Sequence, residues 1–400
     1  MSNLNQTKIR TILHSDVNNF FASVEISQNP QLKSLPVAVS GNPLKRNGVI
    51  LAKNYIAKEK GVKTGQTIGE ALAFCPNLVC LPPHYPVYEE ISEKLHQLYL
   101  TYSNFVEPLG LDECWIDVTE SEKYLGKTGK EIADEIRQKV KNQFGFTVSV
   151  GVSFNKIYAK LGSDLKKPDA TTVVSYENFK QIAFPLPIES VIGFGWRLCK
   201  KFNSIGVKTI SDFVNLDDGF INHIMGITGL KLKQELLGQS NEKVCDYYLL
   251  PPPKSIGNGT TTIYDISRRD EIEKVVVMLC EKVCLRMKKH GVYSHTLTVT
   301  IKDKNLKIKR KSKKIEQSNN IKFISNEAMK IVDEIWDYRI PVRAIRVRAS
   351  SLTTNKIKQL SIFDEKEKNL TVLISEIKEK YGNIEFASDM AKFINKKPNE

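Results

Sequence analysis

Three carboxylates in two short stretches are the residues of this chain best suited to chemistry. Asp16 follows a run of apolar residues that predicts a buried strand, and an apolar helical period begins a few residues later. A carboxylate between a strand end and a helix start suits a divalent cation, while the free backbone amides of the helix start suit phosphate oxygens. The alternative is that Asp16 only caps the helix.

The second stretch is VEPLGLDECWIDV at 106–118, where Asp112 and Glu113 lie between two apolar runs, as at the bend of a hairpin. Adjacent acids beside buried strand residues are costly to desolvate unless a cation compensates their charge. With Asp16 they form a hard-oxygen set suited to two Mg²⁺ ions that also hold substrate phosphates. A solvated acidic turn is the alternative.

Length and composition describe the kind of protein that must position these acids. The 400 residues exceed what one core usually serves, so about two to four domains are expected. The formal net charge of +14 indicates a polyanionic partner. The seven cysteines lack metal-finger spacing, which favours buried thiols in a reducing cytoplasm. No apolar run approaches the roughly 20 residues of a membrane helix, so no membrane is expected among the partners.

Five motifs stand in one order along nearly the whole chain: DVNNFFASVE from Asp16, LAKNYIAKEKGVKTG at 51–65, LDECWID from Leu111, VGVSFNKIYAKLGSDLKKP from Val150, and QLSIF from Gln359. In this order they resemble the motifs of Y-family translesion DNA polymerases. The FFASVE segment is similar to the bacterial DinB-like branch, whereas DVN at 16–18 is similar to the UmuC-like branch.

The resemblance implies an α+β, multidomain, right-hand polymerase fold. Its parts are a palm with an antiparallel sheet, small fingers, a helical thumb with a helix-hairpin-helix, and a β-α-β-β-α-β little finger. In the palm, the alternation of strands and helices predicts helices on one face of the sheet. The predicted ranges are 1–21 and 84–175 for the palm, 22–83 for the fingers, 176–247 for the thumb, 248–253 for a proline-rich linker, 254–352 for the little finger and 353–400 for a tail.

The resemblance also implies residue roles in DNA-templated DNA synthesis. Asp16, Asp112 and Glu113 are expected to be the catalytic acids that hold two Mg²⁺ ions, together with the backbone carbonyl of Val17. Asn18 stands where many relatives have Asp, but that position is not a direct ligand, so activity is expected. The implied nucleotide-binding residues are Asn19, Phe20, Phe21, Tyr55, Lys58 and Lys167.

Within that set, Phe21 matches the steric gate, whose ring leaves no room for a ribose 2′-hydroxyl. Its neighbour Phe20 is also expected to pack in the core. Tyr55 and Lys58 fall one turn apart on a predicted helix and can reach the same triphosphate. The commoner family pattern has Arg where Lys58 stands, so a point charge replaces a bidentate fork and looser geometry is expected.

Lysines of the fourth motif are further candidates for binding phosphates. Lys167 matches the family lysine that reaches the nucleotide, whereas Lys160, two helical turns earlier, fits a phosphate contact or a solvated face equally well. In the thumb, Gly193 and Gly195 are expected to let backbone amides hold DNA phosphates. A basic hairpin strand and the last strand are expected to form one phosphate-tracking surface on the little finger, made by Lys307, Lys309, Lys311, Lys313, Arg346 and Arg348.

The tail motif resembles the peptide by which bacterial polymerases dock on a sliding clamp, with Gln359 as polar anchor and Leu360, Ile362 and Phe363 as apolar contacts. The expected partners are primer-template DNA, deoxynucleoside triphosphates and the sliding clamp, bound by a monomer. Two other classes stay open: a different palm-type metal enzyme such as a nucleotide cyclase, and a DNA-binding recruitment protein without catalysis.

Overall fold

The computed structural model describes residues 9–41, 48–240 and 242–354. The chain divides into two compact units between Leu250 and Pro251, inside the range 248–253 that the sequence assigns to a linker. The tail motif at 359–363 lies outside the described residues. Within the described part of the chain, no helix is long and apolar enough to cross a membrane.

The first unit contains three groups of elements that correspond in order to the palm, fingers and thumb ranges. Its strands and helices are β1 (Ile12–Val17), α1 (Phe20–Gln28), β2 (Val37–Ser40), β3 (Ile50–Lys53), α2 (Tyr55–Glu59), α3 (Ile68–Phe74), β4 (Val79–Leu81), α4 (Tyr85–Leu100), β5 (Val106–Leu109), β6 (Glu113–Asp117), α5 (Thr119–Leu125), α6 (Gly129–Phe144), β7 (Val148–Ser153), α7 (Lys156–Leu165), β8 (Thr171–Val174), α8 (Phe179–Ala183), α9 (Trp196–Asn203), α10 (Ile210–Val214), α11 (Asp218–Met225) and α12 (Ile227–Leu236).

A five-stranded sheet in the order β5-β6-β1-β7-β8 carries the acidic motifs, with β1 at its centre. Apolar residues of alternate positions, such as Leu13 and Ile116, pack on one face against Tyr88 and Leu95 of α4 and Ile136 of α6. Three of the four strand pairs are antiparallel, as predicted, but β8 runs parallel to β7. The reason is that α7 connects them as a crossover helix, which a parallel pair requires.

The prediction that the palm helices share one face is wrong for α7, which packs on the other face. Gly151 of β7 makes this approach possible, because a Cβ there would lie 1.9 Å from the backbone oxygen of Ala159. Gly162 of α7 lies on the other side of this contact, and a Cβ added to it would be 3.2 Å from the Gly151 Cα. The side chain of Asn155 caps the helix by accepting a hydrogen bond from the amide of Tyr158. The helix therefore lies directly over β1 and β7.

A separate three-stranded sheet, in the order β3-β2-β4, occupies the fingers range. Its core is small and is centred on residues such as Ile50, Val62 and Leu78. The predicted boundary between 21 and 22 falls inside α1. Phe20 and Val24 of that helix belong to the core of the large sheet, and the helix also lies beside β2 and β3 of the small sheet.

Short helices α8 to α12 form a third core in the thumb range, together with residues of α7. The predicted helix-hairpin-helix is present in reduced form. Its first helix is a single 3-10 turn at Ile188–Ser190, and α9 and α10 follow it.

The second unit has the predicted order β-α-β-β-α-β, and it contains a four-stranded sheet in the order β11-β10-β12-β9. All of its strand pairs are antiparallel. Both helices pack on one face, around buried residues such as Leu279 and Ile331. The elements are β9 (Ser255–Ile266), α13 (Arg269–Lys289), β10 (Tyr293–Asp303), β11 (Ile308–Ser318), α14 (Ile321–Ile335) and β12 (Val342–Thr353).

Candidate active site

Asp16 and Glu113 stand directly opposite each other in the antiparallel register of β1 and β6. Their side chains are only 9% and 22% exposed and lie on the face of the sheet that α7 covers. Like charges directly opposite each other destabilise a sheet. The fold therefore has to supply positive charge at this point.

Asp112 is brought to the same place by the turn between β5 and β6. Gly110 in this turn has a φ of 88°, a left-handed conformation that favours glycine. The backbone oxygen of Asp112 accepts a hydrogen bond from the amide of Val17, with a distance of 3.0 Å. This bond ties the acidic turn to the end of β1, so all three predicted acids lie together.

Two lysines supply the positive charge. The Nζ atom of Lys160, on α7, lies 2.8 Å from Glu113 Oε2 and 3.7 Å from Asp16 Oδ2. The Nζ atom of Lys167, just beyond that helix, lies 2.8 Å from Asp16 Oδ2. Both ammonium groups also pair with Asp164, at 3.4 and 2.8 Å. Lys160 is thus part of the site rather than of a solvated face.

The electrostatics of the three acids are unequal. Burial and the charges of Asp16 and Glu113 raise the pKa of Asp112 to about 6. Burial also raises the pKa of Asp16, in spite of Lys167. For Glu113, burial acts in the same direction, but contacts with His14 and Lys160 outweigh it and lower the pKa to about 2.

The donor set fits a divalent cation, although its side chains are paired with lysines. Three carboxylates and the carbonyl of Val17 are the hard oxygen ligands that Mg²⁺ prefers. Across residues 9–41, 48–240 and 242–354, no group of three or more His, Cys, Asp or Glu side chains is arranged to hold a metal as it stands. To bind an ion between Asp16 and Glu113, the ammonium groups of Lys160 and Lys167 have to move away.

The predicted nucleotide residues of α1 differ in accessibility. Asn19 adopts a left-handed φ of 53° and precedes the helix without a side-chain capping bond. Phe20 is 3% exposed and lies in the core, as the sequence suggests for its side chain. Phe21 is half-buried, and its ring contacts Tyr85 and Tyr88 of α4. Phe21 is therefore the more accessible ring of the pair, and it packs against the edge of that core.

Tyr55 and Lys58 lie on α2, which is capped by the side chain of Asn54. Burial raises the pKa of the Tyr55 phenol, and the charges of Lys167 and Asp16 act on it in opposite directions, so the phenol lies within electrostatic range of both. The Nζ atom of Lys58 is 5.5 Å from the centre of the Tyr55 ring. Tyr55 thus lies near the acids, and the ammonium group of Lys58 lies beside its ring.

His14 is a buried neighbour of the acids that sequence reasoning missed. Its Nδ1 atom lies 2.9 Å from Ser163 Oγ, its Nε2 atom lies 3.4 Å from Glu113 Oε2, and its ring packs edge-on against Trp115. Burial lowers the pKa of His14, which favours the neutral imidazole. The signal was present in the sequence, because alternation along β1 puts His14 on the same face as Asp16.

The two predicted thumb glycines lie at the start of α9. Gly193 has a φ of 105°, which favours glycine, and Gly195 is the residue that precedes the helix. The first exposed residues of this helix are Trp196 and Arg197, whose guanidinium lies 5.3 Å from the indole ring. This loop and helix start present backbone amides next to positive charge.

In the second unit, the prediction that the basic strands share one surface is wrong. Lys309, Lys311 and Lys313 of β11 pair with Ile301, Val299 and Leu297 of β10, which belong to the core under the helices. Cross-strand partners share a face. The lysines therefore lie on the helix side, and their contacts agree: Lys309 with Trp336, Lys311 with Glu334 and Lys313 with Glu327.

Arg346 and Arg348 of β12 lie on the opposite face. They pair with Thr300 and Thr298 of β10, and Thr300 in turn pairs with Arg310 of β11. The arginines are exposed, and Lys314 of β11 lies on the same side. We call the arginine face the surface made by Arg310, Lys314, Arg346 and Arg348. Lys307, which was predicted with the lysines, precedes β11.

Comparison with known proteins covers both units. Residues 15–164 match the impB/mucB/samB family, and residues 253–362 match the C-terminal domain of the same family. The chain is 38% identical over 380 residues to the DNA polymerase IV of Acetivibrio thermocellus, which covers 93% of this chain and 95% of that protein. The DNA polymerase IV of Alkaliphilus oremlandii is 31% identical, with 92% of this chain and 95% of that protein covered.

A solved structure agrees with these relatives. The Y-family DNA polymerase chimera Dbh-Dpo4(243-245)-Dbh is 26% identical and has a TM-score of 0.76, covering 86% of this chain and 100% of the chimera. The predicted α+β polymerase fold is confirmed. The chain is therefore a member of the Y family of DNA polymerases, in the DinB-like branch whose bacterial members are named DNA polymerase IV.

Proposed function

We propose that this DNA-directed DNA polymerase performs translesion synthesis by two-metal nucleotidyl transfer to a primer 3′-hydroxyl. The observation that supports the proposal is the pairing of Asp16 with Glu113 beside the tethered turn of Asp112. These acids and the carbonyl of Val17 would hold two Mg²⁺ ions. When bound, such ions lower the pKa of the attacking hydroxyl and neutralise charge on the phosphates.

The residues around the acids bind and orient the nucleotide. Lys160 and Lys167 now pair with the carboxylates, and their ammonium groups become donors to the triphosphate once the acids hold cations instead. Tyr55 and Lys58 approach the same phosphates from α2. Phe21 excludes the 2′-hydroxyl, and the backbone of Asn19 and Phe20 lines the sugar side.

The fingers range supports low fidelity. It contains a three-stranded sheet, the five-residue helix α2 and the seven-residue helix α3. A domain of this size encloses the nascent base pair loosely, so distorted pairs are tolerated and damaged templates can be copied.

The arginine face and the backbone amides near Gly193 and Gly195 are the proposed contacts with primer-template DNA. The tail motif, Gln359 to Phe363, would dock on a sliding clamp and raise the effective concentration of a monomeric enzyme at the primer end. All seven cysteines are free thiols, which supports a reducing compartment such as the cytoplasm.

Primer extension by the full chain with Mg²⁺ tests the proposal, on undamaged and abasic templates and with or without a sliding clamp. We expect synthesis past the lesion, longer products with clamp, and no synthesis by Asp112→Ala. A Phe363→Ala variant should lose only the clamp effect. Equal extension by Asp112→Ala and the parent would refute the assignment of the acids.

A further inference from the structure

Asn18, next to the acids, is a buried polar residue whose side chain reaches across the sheet to the loop between α7 and β8. Its Oδ1 atom accepts hydrogen bonds from the backbone amide of Asp169 at 3.0 Å and from Thr147 Oγ1 at 2.9 Å. Its Nδ2 atom donates to Ser149 Oγ at 3.0 Å. Asn18 is 3% exposed, so these bonds are shielded from water.

Asp169 is also held from the outer side. Its carboxylate accepts hydrogen bonds from Arg137 Nη2 at 2.8 Å and from Lys141 Nζ at 3.0 Å, and its backbone oxygen accepts another from Arg137. Arg137 is fixed in turn by Asp134 and Thr171. Asp169 has a left-handed φ of 51°, a conformation that a residue other than glycine keeps only when its surroundings hold it.

The loop anchored in this way carries Lys167, two residues before Asp169. Lys167 reaches back over β1 to Asp16 at 2.8 Å, and it is the lysine to which the proposed function gives a phosphate contact. A side chain with this many rotatable bonds is placed accurately only if its backbone is fixed. Asn18 and Arg137 fix that backbone from the two sides of Asp169.

We infer that Asn18 and Arg137 are positioning residues that act through Asp169 to set the place of Lys167 for the incoming nucleotide. The inference rests on the proposed role of Lys167. An amide suits position 18, because its oxygen accepts two hydrogen bonds while its nitrogen donates a third. A carboxylate would keep both acceptor bonds, and the Ser149 hydroxyl can rotate to donate, whereas an apolar side chain of the same size loses all three.

The test is a double-mutant cycle on the full chain, read as the Kd for the incoming deoxynucleotide in single-turnover primer extension. We expect Asn18→Leu to raise this Kd about tenfold in the parent but less than about twofold in the Lys167→Ala background, because the two changes remove one shared interaction. Asn18→Asp should stay within about threefold of the parent. Affinity for DNA and the maximal rate should change less than nucleotide affinity.

Arg137→Gln makes the same test from the other side of Asp169, at a side chain that is partly exposed, and it leaves the buried contacts of Asn18 intact. Its matched control is Lys139→Gln, which removes the same charge from α6. The native Lys139 pairs with Glu135 and not with Asp169. Nucleotide affinity should weaken for Arg137→Gln only, and only while Lys167 is present. Equal weakening in both backgrounds overturns the inference and leaves the role of Lys167 intact. If Lys167→Ala alone leaves the Kd for the deoxynucleotide unchanged, the proposed phosphate contact of Lys167 is wrong, and the inference about Asn18 and Arg137 fails with it.

Discussion

The ring of Phe21 lies stacked on the ring of Tyr88, with centroids 4.4 Å apart and planes inclined by 16°. Tyr88 is fully buried on α4, and its hydroxyl donates a hydrogen bond to Glu25, which also pairs with His84. The proposed sugar gate therefore rests on a side chain that is itself fixed at both ends. A gate excludes by clash only if it cannot retreat, so its support matters as much as its size.

We predict that Phe21→Ala raises ribonucleotide incorporation relative to deoxynucleotide incorporation by on the order of 10–100-fold, because the clash with the 2′-hydroxyl is removed. Tyr88→Leu should raise the same ratio by a smaller factor, since the gate ring can then move back. The measurement is kcat/KM for matched ribo- and deoxynucleotides on one template.

The matched control for Tyr88→Leu is Tyr99→Leu on the same helix, where the hydroxyl bonds to Ser15. This change creates a similar cavity without removing the support of Phe21. If Tyr99→Leu altered sugar selection as much as Tyr88→Leu, general loosening of the palm would explain the effect, and the supporting role of Tyr88 would be wrong.

Gly151→Ala should unfold the palm or destabilise it by about 3 kcal/mol or more, because the new Cβ would lie 1.9 Å from the backbone oxygen of Ala159. Urea denaturation at neutral pH measures the change. Gly69→Ala in α3 is the control, since a Cβ there meets nothing within 4 Å, and it should be neutral or slightly stabilising. A well-folded Gly151→Ala of parental stability would contradict the close packing of α7 on β7.

The three acids could be predicted from the sequence because their signals are local. Asp16 stands between a strand and a helix, and Asp112 and Glu113 interrupt an apolar hairpin. The arrangement of the acids relative to one another could not be predicted, because the register of β1 and β6 joins residues that are far apart in the chain. For the same reason the contacts of Asn18 with Thr147, Ser149 and Asp169 have no signature in the sequence.

The basic strand shows a second limit of local patterns. Alternation along β11 places Lys309, Lys311 and Lys313 on one side, and the structure agrees. The pairing with β10 and the acids of α14 decide whether the lysine side of β11 faces the helices. The sequence of β11 alone holds no information about either. The pattern of the strands therefore does not show that these lysines lie on the opposite face of the sheet from Arg346 and Arg348.

Glu235, near the end of α12, should make stability fall as pH rises. Burial and the neighbouring Glu242 raise the pKa of Glu235 from 4.5 to about 7 in the folded state. The folded state then binds the proton more tightly than the unfolded chain, so its stabilising contribution is complete below pH 4.5 and is lost as pH rises through 7. Glu235→Gln should therefore be about 1 kcal/mol more stable than the parent at pH 8, after allowance for partial exposure.

Thermal melts at pH 5 and pH 8 test this, because the gain of Glu235→Gln should appear only at the higher pH. Glu90→Gln serves as the control, since Lys94 lowers the pKa of Glu90 and its removal should give no gain at pH 8. A gain of equal size at both pH values would show that the Glu235–Glu242 repulsion is not its source.

The arginine face predicts a difference between two variants of equal charge. Arg346→Ala with Arg348→Ala removes two exposed cations from that face, whereas Lys311→Ala with Lys313→Ala removes two cations that pair with acids of α14. If the arginines contact phosphates, the first variant should bind primer-template DNA at least about tenfold more weakly. The slope of its log Kd against log salt concentration should also be smaller by about 2.

The lysine variant is the control. It should change the affinity for DNA less than about threefold, because its lysines are already neutralised by Glu334 and Glu327. Fluorescence anisotropy over a range of salt concentrations measures both quantities, and equal losses in the two variants would mean that DNA responds to net charge rather than to this face.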